Sequence, residues 1–173
     1  MKSIRYFFEY ILIVILLSIF KLLGYRLASE LGYLLGKTFG PFFRSKKIIK
    51  DNLIKFDKSL TPERILEISK EMWGNYGRIL SEYPFISNFR KGKLDKYIQI
   101  ENLEKLEKIK TGQPVVFISA HFSNFELMAL VIEKAGVNLS AIYRPLNNRM
   151  INSIMEPLRK KYICKKQIKK GIN

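Results

Sequence analysis

Val115-Val116-Phe117-Ile118-Ser119-Ala120-His121-Phe122-Ser123-Asn124-Phe125-Glu126 is the stretch on which the reading of the fold turns. Its apolar run, 115–120, is bounded upstream by Gly112 and Pro114 and reads as a buried β-strand. His121, the single histidine of the chain, then falls at the carboxyl end of a strand just before a helix. That is where α/β proteins hold their chemistry. His121 and Glu126, with four residues between them, have the makings of a general-base pair. The imidazole takes a proton near neutral pH, and the carboxylate fixes its tautomer and stabilises the imidazolium. The same residues also carry a structural reading. Ser123 to Glu126 fits a capping box, with Ser123 as N-cap and Glu126 at N3, and a lone histidine at a strand end is commonly structural. Spacing alone leaves both readings open.

Outward from this stretch, elements alternate. Tyr97 to Ile100 reads as a short strand, Leu103 to Ile109 as a short helix, Asn124 to Lys134 as a helix, Leu139 to Tyr143 as a strand, and Arg149 to about Lys161 as a helix. The expected class is therefore α/β, with a largely parallel sheet covered by helices. No Gly-rich nucleotide fingerprint and no internal repeat occurs. Upstream, Thr61 as N-cap, Pro62 at N1 and Glu63 in the first turn open a helix. Its stripe of Ile65, Ile68, Met72, Tyr76, Ile79 and Tyr83 reads as core. The segment from Pro84 to Lys96, with Asn88, Gly92 and several charges, reads as a connecting loop.

The amino terminus reads as a membrane anchor. Residues 10–20 carry no charge, and the apolar stretch runs over 6–23 if Glu9 and Lys21 are tolerated. As a helix, such a stretch is ~27 Å long, close to the ~30 Å of a bilayer's hydrocarbon. No small-residue cleavage site ends it, which argues against a signal peptide. Whether it spans or lies in one leaflet stays open. Residues 27–43 carry Gly32, Gly36 and Gly40 at every fourth position, clearing one helix face for close packing or for a shallow seat in lipid. Arg44, Lys46, Lys47 and Lys50 follow as a basic cluster suited to anionic lipid. The excess of Lys and Arg after the anchor places the following part in the cytoplasm. The organisation expected is an anchor and interfacial helix over 1–43, a helical segment over 44–96 and an α/β core over 97–173.

The chain carries 31 Lys and Arg against 15 acids, a net charge of +16, and half of that lies beyond Tyr143, where Glu156 is the single acid. A solvated basic face is the plain reading. Nucleic acid is disfavoured, because the charge is neither interleaved with stacking aromatics nor set on a recognisable module. Anionic lipid phosphates and an acidic carrier protein suit it better. Cys164 is the single cysteine, so no internal disulfide forms, and with one histidine no ordinary zinc site is assembled. Cys164 reads as a bystander, and no cofactor or metal is expected. Arg144, at the end of a strand, is a candidate contact for a phosphate or a carrier protein, since the guanidinium fork suits phosphate.

His121-x4-Glu126 resembles the His-x4-Asp/Glu signature of the lysophospholipid acyltransferase superfamily. More narrowly, the chain is similar to the bacterial lipid A biosynthesis acyltransferases, which add lauroyl or myristoyl groups to a lipid A precursor. Asp51-Asn52-Leu53 with Phe56 resembles that family's helix behind the membrane segment. Met72-Trp73-Gly74-Asn75-Tyr76-Gly77-Arg78, with Glu82, resembles its aromatic and Gly-Arg block. Tyr143-Arg144-Pro145-Leu146-Asn147-Asn148 and Leu158-Arg159 resemble two later blocks, so the likeness covers nearly the whole chain. Two departures stand out. Ser123 and Phe125 replace the usual Gly and Trp. Family members also continue through an Asp-Gln and a Phe-Phe-Gly block, whereas this sequence stops at Lys170-Gly171-Ile172-Asn173, which is expected to make it an amino-terminal part with an incomplete sheet.

The resemblance implies transfer of a fatty acyl group from an acyl carrier protein thioester to a hydroxyl of a lipid A precursor, at the bacterial inner membrane. His121 would be the base, Glu126 its support, and Arg144 and Arg159 substrate contacts. Arg159 also reads as an ordinary charge on an amphipathic helix. Two alternatives remain: an acyltransferase acting on a glycerophospholipid or other glycolipid, and a non-catalytic, membrane-anchored basic binding protein.

Overall fold

A computed structural model describes residues 2–109 and 114–170. Gly112, which bounds the expected strand, and the terminal Gly171-Ile172-Asn173 lie outside the described residues. Helices dominate: α1 (Lys2–Leu23), α2 (Tyr25–Phe39), α3 (Lys46–Phe56), α4 (Pro62–Glu82), α5 (Ile86–Arg90), α6 (Leu103–Ile109), α7 (Phe125–Lys134) and α8 (Arg149–Leu158). Two short strands, β1 (Ser140–Tyr143) and β2 (Lys166–Lys169), pair in parallel, with Ser140 opposite Lys166 and Tyr143 opposite Lys169. The chain divides into two compact units, one of Leu17–Pro84 and one of Met1–Leu16 with Phe85–Asn173.

In the Leu17–Pro84 unit, α2 and α4 run antiparallel in close contact. The glycines expected to clear a face do so. A Cβ on Gly32 would run into Ser81 and the Gly77 carbonyl, one on Gly36 into the backbone of Trp73 and Gly77, and one on Gly40 into the Trp73 ring. The helix received on that face is α4. Polar pairs flank this seam. Glu82, buried, accepts from Ser29 Oγ at 2.7 Å and from the Tyr25 hydroxyl at 3.4 Å. Arg78 donates to Glu30 at 2.8 Å and stacks on the Tyr33 ring at 4.6 Å. The Glu71 carboxylate takes Lys37 at 2.6 Å and the Tyr33 hydroxyl at 2.8 Å, and Lys37 is held charged by them, its pKa raised. The Met72–Arg78 block is therefore a packing device: small residues admit the neighbouring backbone, and charged ones lock the edges. The start of α4 forms as its sequence dictates, with Thr61 Oγ1 accepting from Arg64 N at 3.3 Å and Pro62 in the first turn. Of its apolar stripe, Ile65, Ile79 and Tyr83 are buried, while Tyr76 is exposed.

In the other unit, α5 packs against α7 and the turn after α8. Phe85, Ile86, Phe89, Leu130, Ile132 and Ile163 form its core. The expected loop over Pro84–Lys96 is thus corrected: it holds a 3₁₀ turn at Tyr83–Phe85, then α5, then a 3₁₀ turn at Asp95–Tyr97. Gly92 lies in the turn after α5, but Asn88 is within the helix, and the apolar residues at 85, 86 and 89 bury one helical face. Arg90 pairs with Glu133 at 3.0 Å and Lys134 with Asp95 at 2.7 Å, fixing this segment to α7.

Two expected strands are absent. Residues 114–120 have no regular structure, with Val116 84% and Ile118 92% exposed, and 98–100 are irregular after the Asp95–Tyr97 turn. Among the described residues no neighbouring strand offers either segment a ladder, and a strand's backbone groups need one. The sheet is parallel as expected but has two strands among the described residues.

Glu156 ties α8 to both strands. Its carboxylate takes Lys160 at 2.9 Å, Lys169 of β2 at 3.3 Å and Asn152 at 3.1 Å, and faces Tyr143 of β1. The Lys160 hydrogen bond, with lesser help from Lys169 and Tyr143, draws its pKa down from the ordinary 4.5 to about 2. A depressed carboxylate pKa adds stability above the unfolded-state value and loses it as pH falls through the folded one. Glu156→Gln is therefore expected to melt below the parent at neutral pH. The gap should close between pH 4.5 and about 2, as thermal melts across that range will show. A gap that stayed constant would remove Glu156 from the acid limb.

Candidate active site

His121 lies between the irregular 114–120 segment and α7, with its imidazole exposed and packed 4.1 Å from the Phe125 ring at 57°. Two residues on, Ser123 has a φ of +46°, the left-handed region that favours glycine. The resemblance places glycine at this position, and the backbone supplies the reason. The bend at Ser123 and Asn124 separates His121 from the first turn of α7. It also displaces the expected capping box. The N-cap is Asn124, so Glu126 sits at N2 and not at N3.

Glu126 is 8% exposed. Its partner is Arg159, whose Nε donates to Oε1 at 2.9 Å while Nη2 makes a second, shorter contact with the same oxygen. Arg159 opens a π-helical turn, Arg159–Ile163, that follows Pro157 at the end of α8. Proline removes one backbone donor there, and wide turns of this kind recur at functional sites. A carboxylate in the first turn of a helix is favoured by the helix dipole, and the guanidinium fixes its position through charge-assisted hydrogen bonds. The structure therefore brings two of the expected residues together, Glu126 and Arg159. Among the described residues no hydrogen bond joins His121 to Glu126, and Arg144 stands exposed just beyond β1. One helical heptad on from Glu126, Glu133 takes Arg90 at 3.0 Å and the Lys165 amide at 2.7 Å. Both acids of α7 thus anchor the segments that pack on it.

The family model of the bacterial lipid A biosynthesis acyltransferases matches residues 1–168. The chain belongs to that family. It is an acyltransferase, and its acyl transfer belongs to lipid A biosynthesis. No curated protein and no solved structure matches the chain.

Sequence reasoning missed one polar residue of the acyltransferase that the fold uses heavily. Asn148, 5% exposed, caps α8 by accepting from Met150 N at 3.1 Å and Ile151 N at 3.3 Å. Its amide donates in turn to the Tyr6 carbonyl at 2.9 Å and to Glu9 at 3.1 Å in α1. Glu9 also pairs with Arg5 at 2.9 Å, so the acid within the apolar helix has partners on both sides. The N-cap signal was legible in Asn148-Arg149-Met150; the link to residues so distant in sequence was not. Cys164 of the acyltransferase is buried, its thiol pKa pushed up by that burial, and its Sγ lies 3.3 Å from the carbonyls of Leu139 and Lys166. A pocket beside Val131, Lys134 and Asp95 lies at the far end of α7 from His121.

Proposed function

We propose that the acyltransferase moves a fatty acyl group from an acyl carrier protein thioester to a hydroxyl of a lipid A precursor, with His121 as general base. The observation that carries this reading is the family match over 1–168, with an exposed imidazole standing immediately before the helix that bears Glu126. His121 takes the proton of the acceptor hydroxyl as its oxygen attacks the thioester carbonyl. The tetrahedral intermediate collapses with cleavage of the C–S bond, and the proton passes from the imidazolium to the departing thiolate. Glu126 supplies the negative charge that supports the imidazolium, and Arg159 holds that carboxylate in place. Arg144 and the basic residues beyond it suit the phosphates of the acceptor and the acidic surface of a carrier protein.

Membrane attachment at the bacterial inner membrane, with the catalytic part in the cytoplasm, belongs to the same proposal. Among the described residues α1 is the one helix long and apolar enough to cross a bilayer, with a mean hydropathy of 2.2 over its best window.

The test is turnover in membranes carrying the protein, with acyl carrier protein thioester as donor and a lipid A precursor as acceptor. His121→Ala is expected to lose the ~10²–10⁴-fold that general-base catalysis supplies. Unchanged turnover in that variant would overturn the mechanism. Transfer to a glycerophospholipid in place of the lipid A precursor would overturn the acceptor.

A further inference from the structure

Between α2 and α3 the chain makes a 3₁₀ turn, Gly40–Phe42, that presents three phenylalanines to solvent. Phe42 and Phe43 are 85% and 81% exposed, and Phe39 is exposed beside them. The turn is braced from behind. Gly40 is buried so closely against Trp73 that a Cβ there would strike the indole, and Pro41 fixes the next φ. Directly after the rings come Arg44, Lys46, Lys47 and Lys50, all exposed, with no acid between Gly40 and Lys50. Among the described residues none of these four side chains makes an ion pair. In the same unit Lys37, Arg64 and Arg78 are each paired with a glutamate.

We propose that the Phe39–Lys50 turn is a preformed docking wedge for an anionic lipid surface. The three rings enter the boundary between headgroups and acyl chains while the four cations stay at the phosphates. Apolar insertion plus a polybasic patch is the pair of signals that together give stable surface binding where either alone is marginal. The complementarity is specific: the rings at the end of α2 and in the turn adjoin the cations that lead into α3, and no acid interrupts them. The inference goes beyond the acyl-transfer reaction and does not require α1 to cross the bilayer.

Trp73, the single tryptophan, lies behind the wedge with its ring 6.5 Å from that of Phe43, and so reports on it directly. The experiment measures quenching of Trp73 by headgroup-spin-labelled lipid. It uses the full chain in phosphatidylcholine vesicles with and without phosphatidylglycerol, compared at equal bound protein. Quenching is expected to rise with phosphatidylglycerol and to fall as salt screens the charges. Each Lys→Gln change at Lys46, Lys47 and Lys50 should lower the ratio of docked to undocked turn by about fivefold near an anionic surface. Phe42→Ser with Phe43→Ser should abolish the response. The lysine variants leave the packing of Phe43 on Trp73 untouched, so they test the wedge even where the phenylalanine variant misfolds. Equal quenching with and without phosphatidylglycerol, or no change in the triple Gln variant, would overturn the proposal. So would a response that follows the protein-to-lipid ratio instead of lipid charge, which would assign the face to a second copy of the chain.

Discussion

Gly77→Ala is expected to destabilise the Leu17–Pro84 unit by about 3 kcal/mol, at the upper end of overpacking costs. The usual expectation has the opposite sign, since alanine in a helix interior is favoured over glycine by about 1 kcal/mol. Here the added methyl would collide with the carbonyl of Gly32 and with Gly36 across the seam. Backbone atoms cannot swing aside, so α2 and α4 must separate, and the Glu82–Ser29 and Arg78–Glu30 hydrogen bonds would lengthen with them. Gly74→Ala is the control. Its Cβ meets the Tyr33 ring, a side chain that can turn away, so the loss should be smaller. Thermal or denaturant unfolding of both variants decides the matter. A neutral or stabilised Gly77→Ala protein would mean that the two helices do not approach so closely.

Glu126→Gln should also be costly, by a different route. In a capping box glutamine would serve as well as glutamate, and the change would be nearly silent. Glu126 and Arg159 are both largely buried, so removing the carboxylate's charge weakens a buried ion pair, which costs about 3 kcal/mol. This couples stability to activity, so the single variant does not separate structural from chemical roles. The double variant Glu126→Met with Arg159→Met does. Replacing a buried ion pair by well-packed apolar side chains of similar volume is often neutral or better. The double variant is therefore expected to recover most of the melting temperature lost by Glu126→Gln while acyl transfer stays absent. Recovery of turnover along with stability would make the pair purely structural and leave His121 without its carboxylate.

Both predictions turn on what was legible in the sequence. The start of α4 followed from Thr61-Pro62-Glu63, and Gly32, Gly36 and Gly40 announced a close helix contact. The bounds of α6, α7, β1 and α8 followed, within a few residues, from periodicity and caps. These are local signals. The errors share one cause. The 115–120 segment has strand composition, yet a strand exists only where another runs beside it, and composition carries no record of the neighbour. The pairing of Glu126 with Arg159, 33 residues away, is a further contact that local spacing does not carry. Asn148 was visible as the end of a motif block but not as a link to Tyr6 and Glu9. Ser123 shows the reverse case, in which a backbone angle gives the reason that glycine is usual at a position where this chain departs from it.

The uncovered segment before His121 also bears on contacts between molecules. Val115, Val116 and Ile118 face water on a stretch that, among the described residues, has no ladder of its own. An extended apolar run with open backbone donors and acceptors is a template for another chain, and identical copies supply the most abundant match. Colloidal stability then rests on the repulsion between molecules of net charge +16, a barrier that salt lowers. Raising the ionic strength is therefore expected to promote association through this segment, which light scattering across a salt series would register.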